Sequence, residues 1–443
     1  MKYSIVAFAL IALVFMGCNR KADYDAVFKN PSLYSKTVYQ LNTVVMGNNF
    51  SPIVASRNYT YANVAAYEVI AGGYPGKYQS LAGQLQGLKS VPVRDSTKPI
   101  DVEFAALLAF CKLGEAVTFP AGSMQEYVDS LKQMAKDHGM PSDVFANSVA
   151  YADTVSSAIM KWSKNDNYLQ TRGASEYTVM DSPGRWVPTP PAYSPAAEPH
   201  WREIRAMVLD SSSMFKAPQP FKFDMTNKNS DYYQQVIASK NAIDSLTPEQ
   251  AQIADFWDDN PFKLNVSGHL MFATKKFSPP GHWMSIVGIA AEKAHADFPT
   301  TVTAYAITAI SLFDSFIECW DVKYSFNTVR PETVINKYID PNWRPHLQTP
   351  PFPEYTCGHS TGSAAAAEAL TSVFGDNFNY TDTTELEFGI ASRSFKSFRD
   401  AAVENTWARF YGGIHFHPSC VIATELGTKV GDLVVQKLKM KKS

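Results

Sequence analysis

The sequence predicts an all-α protein of packed helical bundles. Apolar residues recur at helical spacing through most of the chain, while alternating strand-like runs are scarce. Helix-start chemistry points the same way: Thr247-Pro248-Glu249-Gln250 places a threonine cap before a proline at the first helical position. With 443 residues, 45% of them apolar, the chain can bury a sizeable core, either as two or three domains or as one large helical assembly. The 40 basic and 42 acidic residues leave a formal charge of -2, so no global field draws nucleic acid or an anionic membrane. Any anion chemistry must come from local clustering.

Taken in order, residues 1–18 read as a processing segment, because Lys2 precedes a continuous apolar run from Ile5 to Met16 that ends in Gly17-Cys18. The run is short for a bilayer span. It resembles a bacterial lipoprotein signal with Cys18 as the lipidated first residue, an ordinary secretory signal being the alternative. Either implies an exported protein: a periplasmic or outer-membrane-anchored lipoprotein of a Gram-negative bacterium, or a secreted one. Residues 19–260 are expected to form a helical scaffold, with helices near 56–71, 101–118, 123–137 and 143–163 and a Pro-rich surface loop over 182–201.

Residues 261–443 are expected to form a second helical domain. Its clearest helix covers about 300–320, where Val302, Tyr305, Ala306, Ala309, Phe313, Phe316, Ile317 and Trp320 make an apolar stripe. Thr303, Ser311, Asp314 and Glu318 lie off the stripe, so the helix reads as amphipathic, delivering Trp320, Asp321 and Lys323 to its C-terminal end. Further helices are expected over 359–374, stopped by Gly375, over 384–411, stopped by Gly412-Gly413, and from Pro418 toward Leu438. Cys111, Cys319, Cys357 and Cys420 are widely spaced with no Cys-x-x-Cys pair, which argues against a zinc site and leaves one or two disulfides open.

Three short segments concentrate cations and glycines at the expected helix ends, where unpaired backbone N–H groups can meet an anion. In the first, Lys323 is followed by Arg330-Pro331, and the proline disfavours helical geometry at the arginine. The second is Cys357-Gly358-His359, just before the small-residue run Ala364 to Ala367. In the third, Arg409 and His415 flank Gly412-Gly413. Each alone has a plain explanation as a solvated charge, a turn or a satisfied loop histidine. Together they supply three cations, two histidines and an amide-rich turn, as a multiply charged tetrahedral oxyanion requires.

These segments resemble the three-part signature of the vanadium haloperoxidases and type 2 phosphatidic acid phosphatases, K-x6-R-P, P-S-G-H and S-R-x5-H-x3-D, over about Ala290 to Ile422. Trp320-Asp321-x-Lys323 and Phe352-Pro353-Glu354-Tyr355 look like the haloperoxidase branch, in particular the bacterial vanadium-dependent iodoperoxidases. The resemblance implies a vanadate cofactor with His415 as its axial ligand, and Lys323, Arg330 and Arg409 on its equatorial oxygens. It further implies a hydrogen bond from the Gly358 amide, Cys357 at the family's serine position, and His359 as acid-base toward peroxide. Catalytic roles fall to His359, Lys323 and His415, and Trp320, Asp321 and Phe352 are expected to shape the halide pocket.

The implied reaction is oxidation of halide, iodide first and bromide second, by hydrogen peroxide to hypohalous acid. Two alternatives use the same pocket: an acid phosphatase working through a phosphohistidine at His415, and a lipoprotein that binds vanadate or phosphate without catalysis. No nucleic acid partner is expected, and a membrane only through Cys18. Two departures stand out. Cys357 replaces a hydroxyl donor with a weak thiol donor open to oxidation. Ser419 stands where the family has the aspartate that orients the ligand histidine, so another group must hold His415, with His417 or a backbone carbonyl as candidates.

Overall fold

The computed structural model describes residues 22–442 except 181, 262, 268, 269, 274 and 275. The expected signal and Cys18 lie outside the described residues. The helices are α1 (Tyr24–Phe28), α2 (Pro31–Gly47), α3 (Pro52–Gly73), α4 (Val102–Ala116), α5 (Gln125–Asp137), α6 (Ser142–Ser163), α7 (Tyr168–Arg172), α8 (Asp231–Asp244), α9 (Pro248–Phe256), α10 (Pro279–Lys293), α11 (Phe298–Phe326), α12 (Pro331–Tyr338), α13 (Gly358–Phe374), α14 (Phe398–Tyr411) and α15 (His417–Lys437). Two antiparallel hairpins, β1 (Leu264–Ser267) with β2 (Leu270–Ala273) and β3 (Tyr380–Asp382) with β4 (Arg393–Phe395), are the sheets among the described residues. The all-α expectation holds.

Local chemistry sets the helix ends. Thr247 and Gln250 close a reciprocal capping box at the start of α9, and Asp297 accepts from the Thr300 amide at 2.9 Å to start α11. The expected helix over 384–411 is broken instead. A 3-10 turn at Thr384–Phe388 ends on Gly389 at φ +78°, β4 follows, and Ser397 then caps α14 by accepting from the Asp400 amide at 3.0 Å. The glycine's left-handed backbone and the new serine cap divide what the apolar periodicity read as one helix.

The second difference lies in α11, which is not amphipathic. Both its apolar stripe and the off-stripe Thr303, Ser311, Asp314 and Glu318 are buried, because α3, α10, α13 and α15 surround it. It is long and apolar enough to cross a membrane, yet its apolar 18-residue stretch is fully buried inside the protein. Its polar residues do internal work. The Asp314 carboxylate accepts from the amides of Met207, Val208 and Leu209 at 2.7, 2.7 and 3.0 Å and so ties the long loop after α7 to the core. One continuous apolar cluster runs from Phe28 to Met440, so the stretches on either side of residue 260 share a core.

Behind the site, α13 and α15 cross closely because their facing positions are small. A Cβ at Gly427 would stand 2.1 Å from the Thr361 carbonyl oxygen, which no side chain could tolerate. This contact packs the first turn of α13 against the middle of α15.

Both carboxylate oxygens of Glu318 are buried without a hydrogen-bond partner. Burial, with Asp321 nearby, pushes its carboxyl up to about 8. A raised acid binds its proton more tightly in the folded state, so its contribution is favourable at low pH and is lost as pH climbs from the ordinary carboxylate range toward 8. Glu318→Gln should therefore flatten the fall in melting temperature between pH 5 and 8, removing up to about 1.4 kcal/mol per pH unit of stability loss. Thermal scans across that range check it; parallel slopes in variant and parent would contradict it.

Candidate active site

The three segments converge. Lys323 sits one turn before the end of α11, whose chain then reverses at Asn327 with φ +51°. Arg330 caps α12 in extended geometry, φ -78° and ψ 152°, with Pro331 at the first helical position, as the proline dictates. Cys357, Gly358 and His359 open α13, while Arg409 leaves the last turn of α14. Gly413 then turns at φ +73° to bring His415 back, and a Cβ there would collide with Ile243 at 2.8 Å.

Lys323, Arg330 and Arg409 are each fully buried. Arg330 donates through Nε to the Phe352 carbonyl at 2.9 Å and through Nη1 to the Ile414 carbonyl at 2.8 Å. The same Nη1 lies 3.0 Å from His415 Nε2, and Nη2 is buried with no partner. Arg409 donates through Nη1 to the Trp257 carbonyl at 2.8 Å, leaving Nε buried and unpartnered. His359 Nε2 and Ser360 Oγ are likewise buried without partners. Cys357 caps α13 with no side-chain hydrogen bond, so the first-turn amides keep their N–H groups unclaimed by it. Burial, followed by Arg409, holds the His359 imidazole well below its ordinary pKa and therefore neutral.

Lys323 differs from the expectation. Its ammonium donates to the carbonyls of Pro353 at 2.9 Å, Glu354 at 3.0 Å and Thr356, which uses all three of its protons on one loop. It clamps that loop and contributes charge, while burial, with Arg330 beside it, pulls its pKa down to about 8.

The group that orients His415 is Glu354, which the sequence had shown only as part of the branch-like Phe352-Pro353-Glu354-Tyr355 segment. Glu354 Oε1 accepts from His415 Nδ1 at 2.8 Å and from the Phe416 amide at 3.2 Å. A proton fixed on Nδ1 leaves the Nε2 lone pair facing the arginines. His417, one of the two candidates, lies against Trp407 instead, 4.3 Å between centroids. The signal was present in the sequence: an acidic residue between Pro353 and the Cys-Gly-His turn, in a segment short enough to reach the site.

Trp320 and Phe352 meet at 5.0 Å, and Phe352 lies 5.0 Å beneath both Lys323 Nζ and the Arg330 guanidinium. Both rings pack against the buried cations. Asp321 does not: one residue further round α11, its carboxylate faces Ser212 at 3.4 Å and Arg202 at 3.7 Å. Gly358 packs its Cα against Trp320, where a Cβ would approach to 3.3 Å. Cys357 Sγ, Cys420 Sγ and a His415 ring nitrogen lie within 4.8 Å of one another.

A second buried cluster escaped the sequence reading. His282 Nδ1 contacts the Asp259 carboxylate at 3.1 Å, and Nε2 contacts Asp382 at 2.9 Å and Thr384 at 2.7 Å. Its ring stacks on Trp257, whose carbonyl holds Arg409. The cluster thus supports the back wall of the pocket.

Three buried cations face one buried carboxylate here, and donors on Arg330, Arg409 and His359 point at nothing. Such uncompensated charge is costly unless an anion supplies the balance. The donor set fits a small tetrahedral oxyanion, with forked N–H groups, helix-start amides and an imidazole nitrogen beside Arg330. Cys357→Ser, which restores a stronger donor at this position, should tighten oxyanion binding about fivefold, equivalent to about 1 kcal/mol. Calorimetric titration of variant and parent with vanadate checks this; equal or weaker binding in the variant would refute it.

Comparison with known proteins agrees with this geometry. Residues 303–442 match the family described as the VCPO second helical-bundle domain. Among solved structures, the chain is similar to the first bacterial vanadium-dependent iodoperoxidase, at 42% identity and TM-score 0.88, over 93% of this chain and 98% of that one. Bacterial vanadium-dependent chloroperoxidases in holo and apo form share the fold, at 18% and 19% identity and TM-score 0.67 for each, over 89% and 88% of this chain and 93% and 94% of theirs. No curated protein matches the sequence. The chain belongs to the vanadium-dependent haloperoxidase family.

Proposed function

We propose that this protein binds vanadate in the described pocket and oxidises halide with hydrogen peroxide, iodide being the halide it turns over most readily. The observation that carries the proposal is the excess of buried positive charge around His415, with unpartnered donors turned inward. Similarity to an iodoperoxidase along nearly the whole chain supports the choice of halide. Vanadate, when bound, supplies a Lewis-acidic centre that makes peroxide electrophilic toward halide without a change in metal oxidation state. Halide, peroxide and a proton then give hypohalous acid and water.

The protein's own part follows from the geometry. His415 Nε2, freed of its proton by the Glu354 contact to Nδ1, would be the ligand atom. Arg330 Nη2, Arg409 Nε and the α13 amides would hold oxygens, and Lys323 fixes the 353–356 loop that carries Glu354. His359, neutral and facing inward, would take a proton from incoming peroxide. Trp320 and Phe352 would exclude water beside the halide.

A second reading, phosphate monoester hydrolysis through a phosphohistidine at His415, gains one specific support. Glu354 supplies the carboxylate that a histidine nucleophile needs and that Ser419 withholds. The deciding experiment assays vanadate-loaded protein for peroxide-dependent triiodide formation beside phosphate ester hydrolysis by the vanadate-free form. Triiodide without ester hydrolysis is the expected result. Hydrolysis that vanadate inhibits would replace the proposal, and tight vanadate binding with neither reaction would reduce the protein to a binder. Export as a lipoprotein through Cys18 is also proposed, from Lys2, the apolar run and Gly17-Cys18; metabolic labelling with a palmitate analogue that Cys18→Ser abolishes is the expected outcome.

A further inference from the structure

We propose that Cys357 and Cys420 form a peroxide-driven dithiol switch, which joins the starts of α13 and α15 when no oxyanion shields the pair. The inference takes from the proposed function only the presence of peroxide at this pocket.

The geometry is specific to this pair. Cys357 is the capping residue of α13 and Cys420 lies in the first turn of α15. Their sulfurs lie within 4.8 Å of each other and of a His415 ring nitrogen, and with Ala423 they make a small sealed cluster. Both are fully buried. Their sulfurs already approach within 4.8 Å, so joining them, at about 2.05 Å, asks for side-chain rotation rather than a refolded backbone. The other buried cysteines are placed differently. Cys319 faces the Thr356 carbonyl and hydroxyl, 3.7 Å from each, and Cys111 lies in α4.

The chemistry balances. Cys357 sulfur attacks one peroxide oxygen; the S–O bond forms, the O–O bond breaks, and the leaving hydroxide takes the thiol proton to become water. Cys420 sulfur then attacks the sulfenic sulfur; the S–S bond forms, the S–O bond breaks, and the second thiol proton leaves in a second water. Two sulfurs lose two electrons in total and one peroxide is consumed. An oxyanion held at the α13 amides, which the Cys357 side chain does not cap, lies beside Cys357 and would keep peroxide from its sulfur.

Peptide mass mapping without reductant tests this on the full chain, freed of oxyanion or filled with inorganic phosphate and then treated with peroxide. The expected result is a Cys357–Cys420 cross-linked peptide pair, two hydrogens lighter than the free pair, formed in the empty protein and reversed by a dithiol reductant. Phosphate at about ten times its dissociation constant should slow the cross-link about tenfold, since only the empty fraction reacts. Cys420→Ser, checked for native circular dichroism, should instead leave a Cys357 sulfenic acid that a dimedone probe traps. Free thiols at both positions after peroxide, a cross-link to Cys319, or equal rates with and without phosphate would overturn the proposal. Absence of triiodide formation alongside a normal cross-link would count against the haloperoxidase reading alone.

Discussion

Glu354→Gln lowers both vanadate affinity and peroxide-dependent iodide oxidation by about 10- to 100-fold, the range expected when the group behind a ligating histidine loses its charge. In the parent, one carboxylate oxygen accepts from His415 Nδ1 and from the Phe416 amide, and it is the only carboxylate that contacts the ligand imidazole among the described residues. Glutamine can keep both contacts through its carbonyl oxygen, so the ring stays in place. What goes is the negative charge that makes Nε2 a better donor and partly offsets Lys323, Arg330 and Arg409. Glu354→Ala should cost more than Glu354→Gln, because Nδ1 and the Phe416 amide then lose their acceptor as well. Vanadate titration calorimetry with kcat and KM for iodide reads both effects. Parent-like affinity and turnover in Glu354→Gln would mean that the ring is held by shape alone.

This substitution also marks how far the sequence could be read. The site's main parts were legible because each carries a strong local rule: proline after Arg330, glycine before His359, a glycine pair before His415. Which carboxylate steadies His415 was not legible. The family position holds Ser419, and the replacement comes from a loop 61 residues earlier in the chain, folded against His415 by Lys323. Asp321 illustrates the opposite error, since adjacency to Trp320 and Lys323 suggested a pocket role that one step of helical rotation removes. In the fold, the one cap named from the sequence, Thr247 before Pro248, starts α9, whereas the Ser397 cap was missed and α11 was misread as amphipathic. Periodicity reports which face is apolar; it cannot report that Asp314 has loop amides to bind and can be buried too.

The surroundings of the pocket explain why so much charge can be held without water. Each cation is anchored by backbone carbonyls that belong to other elements: Arg330 to Phe352 and Ile414, Arg409 to Trp257, Lys323 to the 353–356 loop. These contacts use some N–H groups and aim the rest inward, so the site is organised before its anion arrives. Trp257 is in turn held between the His282 stack and a hydrogen bond from its Nε1 to Glu404 at 3.1 Å. The His282 cluster therefore acts on the pocket through the direction of Arg409.

His359→Ala should reduce iodide turnover by about 10²- to 10⁴-fold, the usual span for losing a positioned proton-transfer group, while vanadate affinity changes far less. The two effects separate because His359 differs from its neighbours. Lys323, Arg330 and Arg409 have no exposed surface and His415 is 2% exposed, whereas His359 reaches 9%, the most exposed of the five. Its Nε2 has no partner, so nothing in the protein competes for the proton it would accept. Burial, with Arg409 close by, keeps the ring neutral at pH 7, so the base is ready without prior deprotonation. Since its pKa lies well below the ordinary histidine value, protonation would switch the base off only on the acid side, and kcat should fall there. In His359→Ala that acid limb should flatten, and His359→Gln, which keeps a hydrogen bond without a usable base, should behave like alanine in rate. Steady-state kinetics across pH on vanadate-saturated enzyme checks all three statements, and an unchanged acid limb in His359→Ala would move the proton-transfer role to another group.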